Sequence, residues 1–276
     1  MLDSYVHLAI EKVEREAWFD LFAVAPQDYV QHAQVSFTRL GSSIAIADQG
    51  TPIGEFNRVL GLGIDEPVSS AELEQAMAWM HQHASPRFSL QIAQTARPAE
   101  TIQRWIQARA LKPSGNGIAK YYRYALPAED HPMPTALEVK LVEPQLAADF
   151  GHVVQAGFGL PEAVIPWFSA LVGRPKWQVY VAYDNQIPVA SGAMFIDHNW
   201  AWFGIDATLP DYRGRGAQNA LIKQRLTDGI SAGVVGFTAE TGQPSAGEEG
   251  ANKSYGNYHR AGFERLYIRP SYVTNK

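Results

Sequence analysis

Alternating hydrophobic and polar positions divide the chain into strand-like and helix-like segments that follow one another in turn. A period near two predicts strands, and apolar residues spaced three and four apart predict helices. The predicted strands are 43–48, 58–64, 88–93, 118–126, 137–142, 178–183, 188–196, 200–207, 234–239 and 263–269. The predicted helices are 18–34 (broken at Pro26), 69–83, 98–110, 145–156, 161–172, 215–231 and 252–261. Such alternation predicts an α/β fold.

A proline-rich, acidic stretch at residues 126–135 separates two such series. Three prolines in ten residues interrupt the periodic pattern there. We therefore expect two domains, residues 1–130 and 135–276. Each contains strand, helix, strand and helix in that order, and each carries a Gly-Ile-Asp triplet, beginning at Gly63 and Gly204. The shared order indicates an internal duplication, although any α/β chain repeats this alternation.

Composition changes this picture mainly by exclusion. The 276 residues contain no cysteine, which removes disulfides, thiolate metal sites and a cysteine nucleophile. The 28 acids and 23 bases give a net charge of −5, which disfavours a broad nucleic-acid-binding surface. The first residues lack the pattern of a secretory signal, and Glu162 and two prolines interrupt the apolar residues 153–173. We expect a cytoplasmic protein with no metal, no nucleic-acid partner and no membrane contact.

Residues 206–222 carry the clearest functional signal. A predicted strand ends near Ala207, and Arg-Gly-Arg-Gly at 213–216 leads into the next predicted helix. Glycines let successive backbone N–H groups turn towards one ligand, and a helix start adds unpaired N–H groups. A glycine-rich loop that leads into a helix therefore favours the binding of phosphate oxygens. The alternative is a tight turn with two solvated arginines. The sequence contains neither the Walker pattern nor the Rossmann fingerprint, so P-loop and dinucleotide chemistry are unsupported.

This segment resembles the acyl-CoA loop of the GCN5-related N-acetyltransferase (GNAT) superfamily, R/Q-x-x-G-x-G/A. Residues 213–217 match the loop, Pro210-Asp211-Tyr212 matches its approach, and residues 252–263 match the family's late N-x-S…Y-x-x-x-G-F helix and exit. The loop's last position, usually small, is Gln218. The resemblance covers about residues 178–273. It implies tandem GNAT-like domains of mixed α/β (α+β) type, each a central mixed, splayed β-sheet flanked by helices.

The resemblance implies an N-acetyltransferase that moves an acetyl group from acetyl-CoA to a primary amine of a small molecule by direct attack. Tyr258 would protonate the departing thiolate, although a tyrosine on a helix is also an ordinary packing residue. Asp206 and Glu240, at two strand ends, are the candidate bases, with water as the alternative. The residues implied to bind the cofactor are Ala207, Thr208, Leu209, Arg213, Gly214, Arg215, Gly216, Ala217, Gln218, Asn252, Ser254 and Asn257.

The first half carries no such loop. Where the second half has ATLPDYRGRGAQ, the first has EPVSSAELEQ, whose acids suit a helix start but repel phosphate. We therefore expect one acetyl-CoA site, in residues 135–276, and a degenerate first half that packs on it and walls the acceptor pocket. Arg58 would contribute to that pocket or form a surface salt bridge.

Several alternatives stay open at this point. A CoA-binding sensor or interaction module without catalysis fits the same loop, and so does a nucleotide-binding protein that holds ATP. Asn252 and Ser254 also suit helix caps. The acceptor pocket is expected from residues 161–173 and 242–251, where two glutamates suit a cationic amine, and the aromatic residues of the second half suit an aromatic one. The protein is expected to be a monomer or a homodimer.

Overall fold

The structure, a computed structural model, describes residues 2–84, 86–126, 135–248, 250 and 252–273, with side chains described from residue 4 onwards. Most of the predicted boundary at 126–135 lies outside these residues. The helices are α1 (Leu2–Ala23), α2 (Gln27–Ala33), α3 (Ser70–His83), α4 (Ala99–Ala108), α5 (Ala147–Phe158), α6 (Ile165–Ser169), α7 (Ala217–Ser231) and α8 (Lys253–Arg260). The strands are β1 (Ser36–Leu40), β2 (Ser43–Ala47), β3 (Arg58–Leu60), β4 (Ser89–Gln91), β5 (Lys112–Pro113), β6 (Ile118–Tyr124), β7 (Glu138–Leu141), β8 (Trp177–Asp184), β9 (Ile187–Asp197), β10 (Trp200–Thr208), β11 (Gly236–Gly242), β12 (Glu264–Arg269) and β13 (Ser271–Val273).

The strands form two mixed sheets flanked by helices. The first sheet has the order β1-β2-β3-β4-β13-β5, and the second has the order β12-β6-β11-β10-β9-β8-β7. Two parallel pairs, β3 with β4 and β10 with β11, are each joined by a helix, α3 in the first and α7 in the second. The order strand, helix, strand, helix therefore recurs in both halves, as the sequence predicts.

The two sheets exchange strands. β6 comes from the first half of the chain, yet it lies between β11 and β12 of the second sheet. β13, near the other end of the chain, lies between β4 and β5 of the first sheet. The strand predicted at 118–126 belongs to the first predicted domain in the sequence and to the second sheet in the structure. Each half thus completes the sheet of the other.

Two predicted elements differ in extent. The first helix starts at Leu2 and not at Trp18, because apolar side chains three and four positions apart already form a buried stripe before Trp18. These side chains are Val6, Ile10, Val13 and Ala17. The strand predicted at 58–64 ends at Leu60, because Gly61 and Gly63 adopt φ angles of 84° and 71°.

The two halves meet around six charged side chains, five of them buried and one, Glu240, partly exposed. We call them the interdomain ion cluster: Glu11, Glu14, Arg58, Lys120, Glu240 and Arg269. Arg269 lies 2.6 Å from Glu14 and 2.7 Å from Glu240, and Lys120 also pairs with Glu14. Burial alone would raise the pKa of Glu14, but Arg269 and Lys120 lower it well below its ordinary value. Three acids and three bases cancel formally, which is how the structure tolerates so many buried charges.

We predict that Lys120→Met lowers the free energy of unfolding by about 3–5 kcal/mol, because the fully buried Glu14 loses a partner that cannot be replaced by water. Urea denaturation monitored by circular dichroism measures the change. Lys140→Met is the matched control, since its pair with Glu138 is largely exposed, and it should change stability by less than about 1 kcal/mol. Equal effects of the two substitutions would contradict the prediction.

Candidate functional site

The parallel strands β10 and β11 separate at one end and leave a V-shaped opening. They pair from Trp200 with Gly236 to Phe203 with Ala239, where the pairing ends. Beyond that point the register of β10 against β9 shifts, and Ile205 adopts a φ of 57°. A bulge of this kind bends the strand. The splay implied by the sequence resemblance is therefore present, between β10 and β11.

Two cavities meet at this opening. The interdomain cavity, of about 710 Å³, is lined by Trp18 and residues 50–58 of the first half, and by β10, β11 and α8 of the second. The loop groove, of about 590 Å³, runs between the end of β10, residues 212–219 and α8. Asp206, Gln218 and Ser254 line both. The site is therefore one passage with a basic, glycine-rich end and a larger chamber shared by the two halves.

Glycines shape the loop at the groove. Gly214 and Gly216 have φ angles of 81° and 84°, and Gly216 is the N-cap residue of α7. A Cβ at Gly214 would meet nothing within 4 Å, so only the backbone conformation calls for glycine there. This arrangement suits the phosphate-binding role predicted for residues 213–217.

The two arginines of the loop point in different directions. Arg213 lines the groove and donates to the carbonyls of Thr208 at 3.2 Å and Gly157 at 3.3 Å. Arg215 instead forms a 2.8 Å ion pair with Asp184, next to the turn between β8 and β9. The predicted pair of loop charges is thus split, and Arg213 alone faces the groove from this loop.

Two cations of α8 that sequence reasoning missed also line the groove. Lys253 and Arg260 are seven positions apart, with Asn257 between them, so all three share one helix face. Arg260 donates to the side-chain oxygen of Asn257. The spacing of these residues along α8 was the sequence signal that would have predicted a shared basic face.

Gln218 connects the two helices that border the groove. Its side-chain oxygen accepts hydrogen bonds from Ser254 at 3.2 Å and from Asn257 at 2.6 Å. The large side chain that departs from the motif therefore ties α7 to α8. Asn252 caps α8 by accepting from the Tyr255 N–H at 3.0 Å, as predicted for a helix cap.

Leu209 suits the role predicted for it only in part. Its N–H donates to the Val189 carbonyl and its carbonyl accepts from the Tyr212 N–H, both at 3.0 Å, so its N–H is engaged and its carbonyl keeps one lone pair. Ala207 and Thr208 line the groove, together with Ala217. A ligand contact with the Leu209 backbone would therefore involve its carbonyl alone.

A buried polar chain occupies the point where the groove meets the cavity. Tyr258, 2% exposed, donates its hydroxyl hydrogen to Asp206, whose other oxygen accepts from Arg225 at 2.5 Å. Burial and the charge of Asp206 raise the pKa of Tyr258 well above its ordinary value. Arg225, which sequence reasoning missed, lies on the apolar face of α7 beside Leu221 and Leu226. A charged residue within such a stripe was the signal that would have found it.

Glu240 connects the cavity to the interdomain ion cluster. Its side chain is 14% exposed, lines the cavity and lies within 3.5 Å of Arg58, Lys120 and Arg269. Burial, and next the charge of Glu14, raise its pKa above the ordinary value. Arg58 is 1% exposed and stacks 4.2 Å above the Trp18 ring, so the surface salt bridge considered for it is wrong.

The corresponding region of the first half is closed by the chain itself. The Arg97 N–H donates to the Gly63 carbonyl at 2.9 Å, and the Arg97 carbonyl accepts from the Val68 N–H at 2.8 Å. The next helix begins with a capping box in which Ser69 and Glu72 bind each other's backbone. The helix start that would face a phosphate is therefore already occupied by a carboxylate.

Neither a metal site nor a membrane-spanning helix has a candidate among the residues that the structure describes. Across the described parts of the chain, no group of three or more histidine and acidic side chains is placed to hold a metal ion. No helix within those parts combines the length and apolar character needed to span a bilayer.

Three solved structures of GNAT-type proteins are similar to this chain in fold. A GCN5-related N-acetyltransferase from Kribbella flavida is 14% identical with a TM-score of 0.59, and the match covers 92% of this chain and 94% of that one. One from Sphaerobacter thermophilus is 15% identical with a TM-score of 0.56, over 84% and 78% of the two chains. A tandem GNAT protein from the clavulanic acid biosynthesis pathway is 14% identical with a TM-score of 0.51, over 95% and 94%.

These likenesses show the fold, since the identities are low. The chain has the GNAT fold, and its two mixed sheets resemble the tandem form. Neither the protein-family models nor the curated proteins contain a match to the chain. The fold supports acyl transfer in general, and proteins of this fold generally bind acetyl-CoA.

We predict that Tyr258 contributes stability that is lost at alkaline pH. An unfolded tyrosine ionises near its ordinary pKa of 10.0, whereas the folded pKa is raised, so the contribution is present below pH 10 and falls above it. Between pH 8 and 10.5 the wild type should lose about 1 kcal/mol more unfolding free energy than Tyr258→Phe. Urea denaturation at both pH values measures this, with Tyr5→Phe as the control for removing a hydroxyl elsewhere. Equal losses would show that the hydroxyl is not held as described.

Proposed function

We propose that the chain is an acyl-CoA N-acyltransferase that moves the acetyl group of acetyl-CoA to a primary amine of a small molecule in a ternary complex. The observation that carries the proposal is the junction at the splay, where a groove bordered by the glycine-rich loop meets a separate chamber beside Tyr258. Two substrates that enter from opposite sides would meet there. The chain contains no cysteine, so an acyl-cysteine intermediate is closed to it.

Residues of the groove fit the anionic end of acetyl-CoA. The backbone around Gly214 and Gly216 has the conformation that gathers N–H groups at a helix start, and Arg213, Lys253 and Arg260 add positive charge around it. Ala207 and Thr208 offer a strand edge for the pantetheine arm, and Gln218, Asn257 and Ser254 offer side-chain groups further along. Acetyl-CoA supplies the activated acyl carbon.

Glu240 is the better of the two proposed bases. Both carboxylates line the chamber and have cationic partners, but the hold on Glu240 is looser at one oxygen. Asp206 is held at both oxygens, by Arg225 at 2.5 Å and by the Tyr258 hydroxyl, whereas among the described residues Oε1 of Glu240 has a single contact at 3.4 Å, with Arg58. The raised pKa of Glu240 also makes it a stronger proton acceptor. In the proposed reaction the ammonium group of the acceptor gives a proton to Glu240. Its nitrogen then bonds to the acyl carbon, and the carbon–sulfur bond breaks.

Tyr258 is proposed to protonate the departing thiolate, with Asp206 and Arg225 as positioning residues. Its raised pKa keeps the hydroxyl protonated at neutral pH, so a proton is always present to donate. The nitrogen loses two protons in going from ammonium to amide. Glu240 takes the first and later releases it to solvent, and the second replaces the hydroxyl proton that Tyr258 has given to sulfur. Asp206 orients the ring and does not itself take part in bond making.

A second candidate is a CoA-binding sensor without turnover. It is favoured by one observation, that the hydroxyl of Tyr258 is bound to Asp206 and so turned towards a carboxylate. Catalysis requires that bond to be exchanged for one to sulfur. Measurement of turnover separates the two candidates.

We predict that the protein releases free CoA from acetyl-CoA when a primary amine is supplied, and that Tyr258→Phe lowers kcat by about 100-fold or more. The dissociation constant for CoA, from isothermal titration calorimetry, should change less than about twofold, because the hydroxyl acts at sulfur and not in the phosphate groove. Tyr255→Phe is the matched control on the same helix and should keep wild-type kcat. CoA binding without release for any amine would support the sensor instead.

We predict that Arg260→Gln weakens CoA binding by about tenfold, whereas Arg215→Gln weakens it by less than about threefold. A charged hydrogen bond to phosphate is worth about 1.5–3 kcal/mol, and Arg260 lines the groove while Arg215 binds Asp184. Calorimetry at low and high salt measures both, and the Arg260 effect should shrink as salt rises. A larger effect of Arg215→Gln would mean that the pyrophosphate lies on the other side of the loop.

A further inference from the structure

Aromatic rings from both halves of the chain wall the interdomain cavity. Seven rings line it: Trp18, Phe56, Phe158, Phe168, Trp202, Phe203 and Tyr258. Trp18 packs against Trp202 with ring centroids 5.9 Å apart and against Phe56 at 6.2 Å, and Phe56 lies 6.4 Å from Phe168. Rings that pack against one another have fixed orientations and present flat apolar faces. Such faces suit a ligand that carries a flat apolar group.

The same cavity exposes large apolar side chains of both halves. Ile53 of the first half is 36% exposed and Phe158 of the second is 52% exposed, and both line the cavity. A ligand that covers these side chains removes apolar surface from water, which favours binding by about 25 cal/mol per Å². Exposed apolar groups on a cavity mark a binding surface more often than scattered surface residues do.

The charges of the cavity favour a cation over an anion. Three acids line it, Glu55, Asp206 and Glu240. Of the described residues lining it, Arg58 is the one base, and it is buried, stacked on Trp18 and hydrogen-bonded to Gln91 at 3.0 Å. Asp206 pairs with Arg225 and Glu240 pairs with three cations of the interdomain ion cluster, so Glu55 is the lining acid whose charge these pairs do not offset. A carboxylate on the acceptor would therefore meet an excess of negative charge, since Arg58 is already bound.

We infer that the acceptor is an arylalkylamine, a primary ammonium group on a short chain that carries an aromatic ring and no carboxylate, bound in a chamber whose far wall the first half supplies. The inference rests on the proposed function and deepens it by naming the acceptor class. The ring lies among the aromatic side chains, and the ammonium group points to Glu240. The aromatic acceptor considered from the sequence thus gains a defined chamber.

Three probe amines test the inference because they differ by one group each. 2-Phenylethylamine has the ring and no acid, ethylamine lacks the ring, and phenylalanine adds a carboxylate. We expect kcat/KM for 2-phenylethylamine to exceed that of each of the other two by at least about tenfold, as burial of a phenyl group predicts. Equal or higher values for ethylamine or phenylalanine would overturn the inference.

Binding without turnover separates this inference from the proposed function. Trp18 and Trp202 line the cavity, so 2-phenylethylamine should quench tryptophan fluorescence at lower concentration than the other two amines. Stronger quenching by 2-phenylethylamine with no acetylation of any probe would support the acceptor class and refute the transferase. Quenching that shows no preference for it would refute the acceptor class, whatever the turnover.

One substitution tests the contribution of the first half. Ile53→Ser removes exposed apolar surface at the cavity and should raise KM for 2-phenylethylamine by about threefold to tenfold, with no change in the dissociation constant for CoA. Ile187→Ser is the matched control, since Ile187 is 52% exposed at the start of β9, and it should leave KM unchanged. An unchanged KM in Ile53→Ser would remove the first half from the acceptor site.

Discussion

Five buried charged side chains and the partly exposed Glu240 form the interdomain ion cluster, and such a cluster is stable only when it is complete, because an unpaired buried charge costs several kcal/mol. The six residues come from five elements: α1, β3, β6, β11 and β12. Glu14 and Arg269 are separated by most of the chain and lie 2.6 Å apart. The cluster therefore forms only when both ends of the chain and both sheets have come together.

The cluster also fixes the shape of the candidate site. Glu11, Glu14 and Trp18 follow one another at helical spacing on one face of α1, so the face that completes the cluster also brings a ring to the cavity. Glu240 belongs both to the cluster and to the lining of the cavity. In the first half the equivalent opening is closed by Arg97, so that half keeps its sheet while its own groove is filled. What it supplies to the candidate site is a wall and the charges behind Glu240.

Local features of the site were predictable from the sequence, and long-range ones were not. The glycine loop at residues 213–217 and the Asn252 cap depend on neighbours in the chain, so their pattern is visible in sequence. The exchange of β6 depends on Tyr124 pairing with Gly236, more than a hundred residues away, which no local pattern encodes. The burial of Arg58 depends on the same long-range association of the two halves. Arg225 was visible as a charge within an apolar stripe, but its partner Asp206 is set only by the packing of α7 on the sheet.

The hydrogen bond between Tyr258 and Asp206 bears on both candidate functions, the transferase and the CoA-binding sensor. A phenol has a single hydrogen, so while Asp206 accepts it the hydroxyl presents only lone pairs to any other group. A neutral thioester sulfur is a weak acceptor and does not compete with a carboxylate for that hydrogen. The negative charge that develops on sulfur as the carbon–sulfur bond breaks makes it a much stronger acceptor. In the proposed reaction the network would withhold its proton from the bound thioester and give it to the leaving thiolate, which is the difference between ground state and transition state that catalysis needs. The bond that turns the hydroxyl away from a ligand, as a sensor would have it, is therefore also compatible with the proposed transferase.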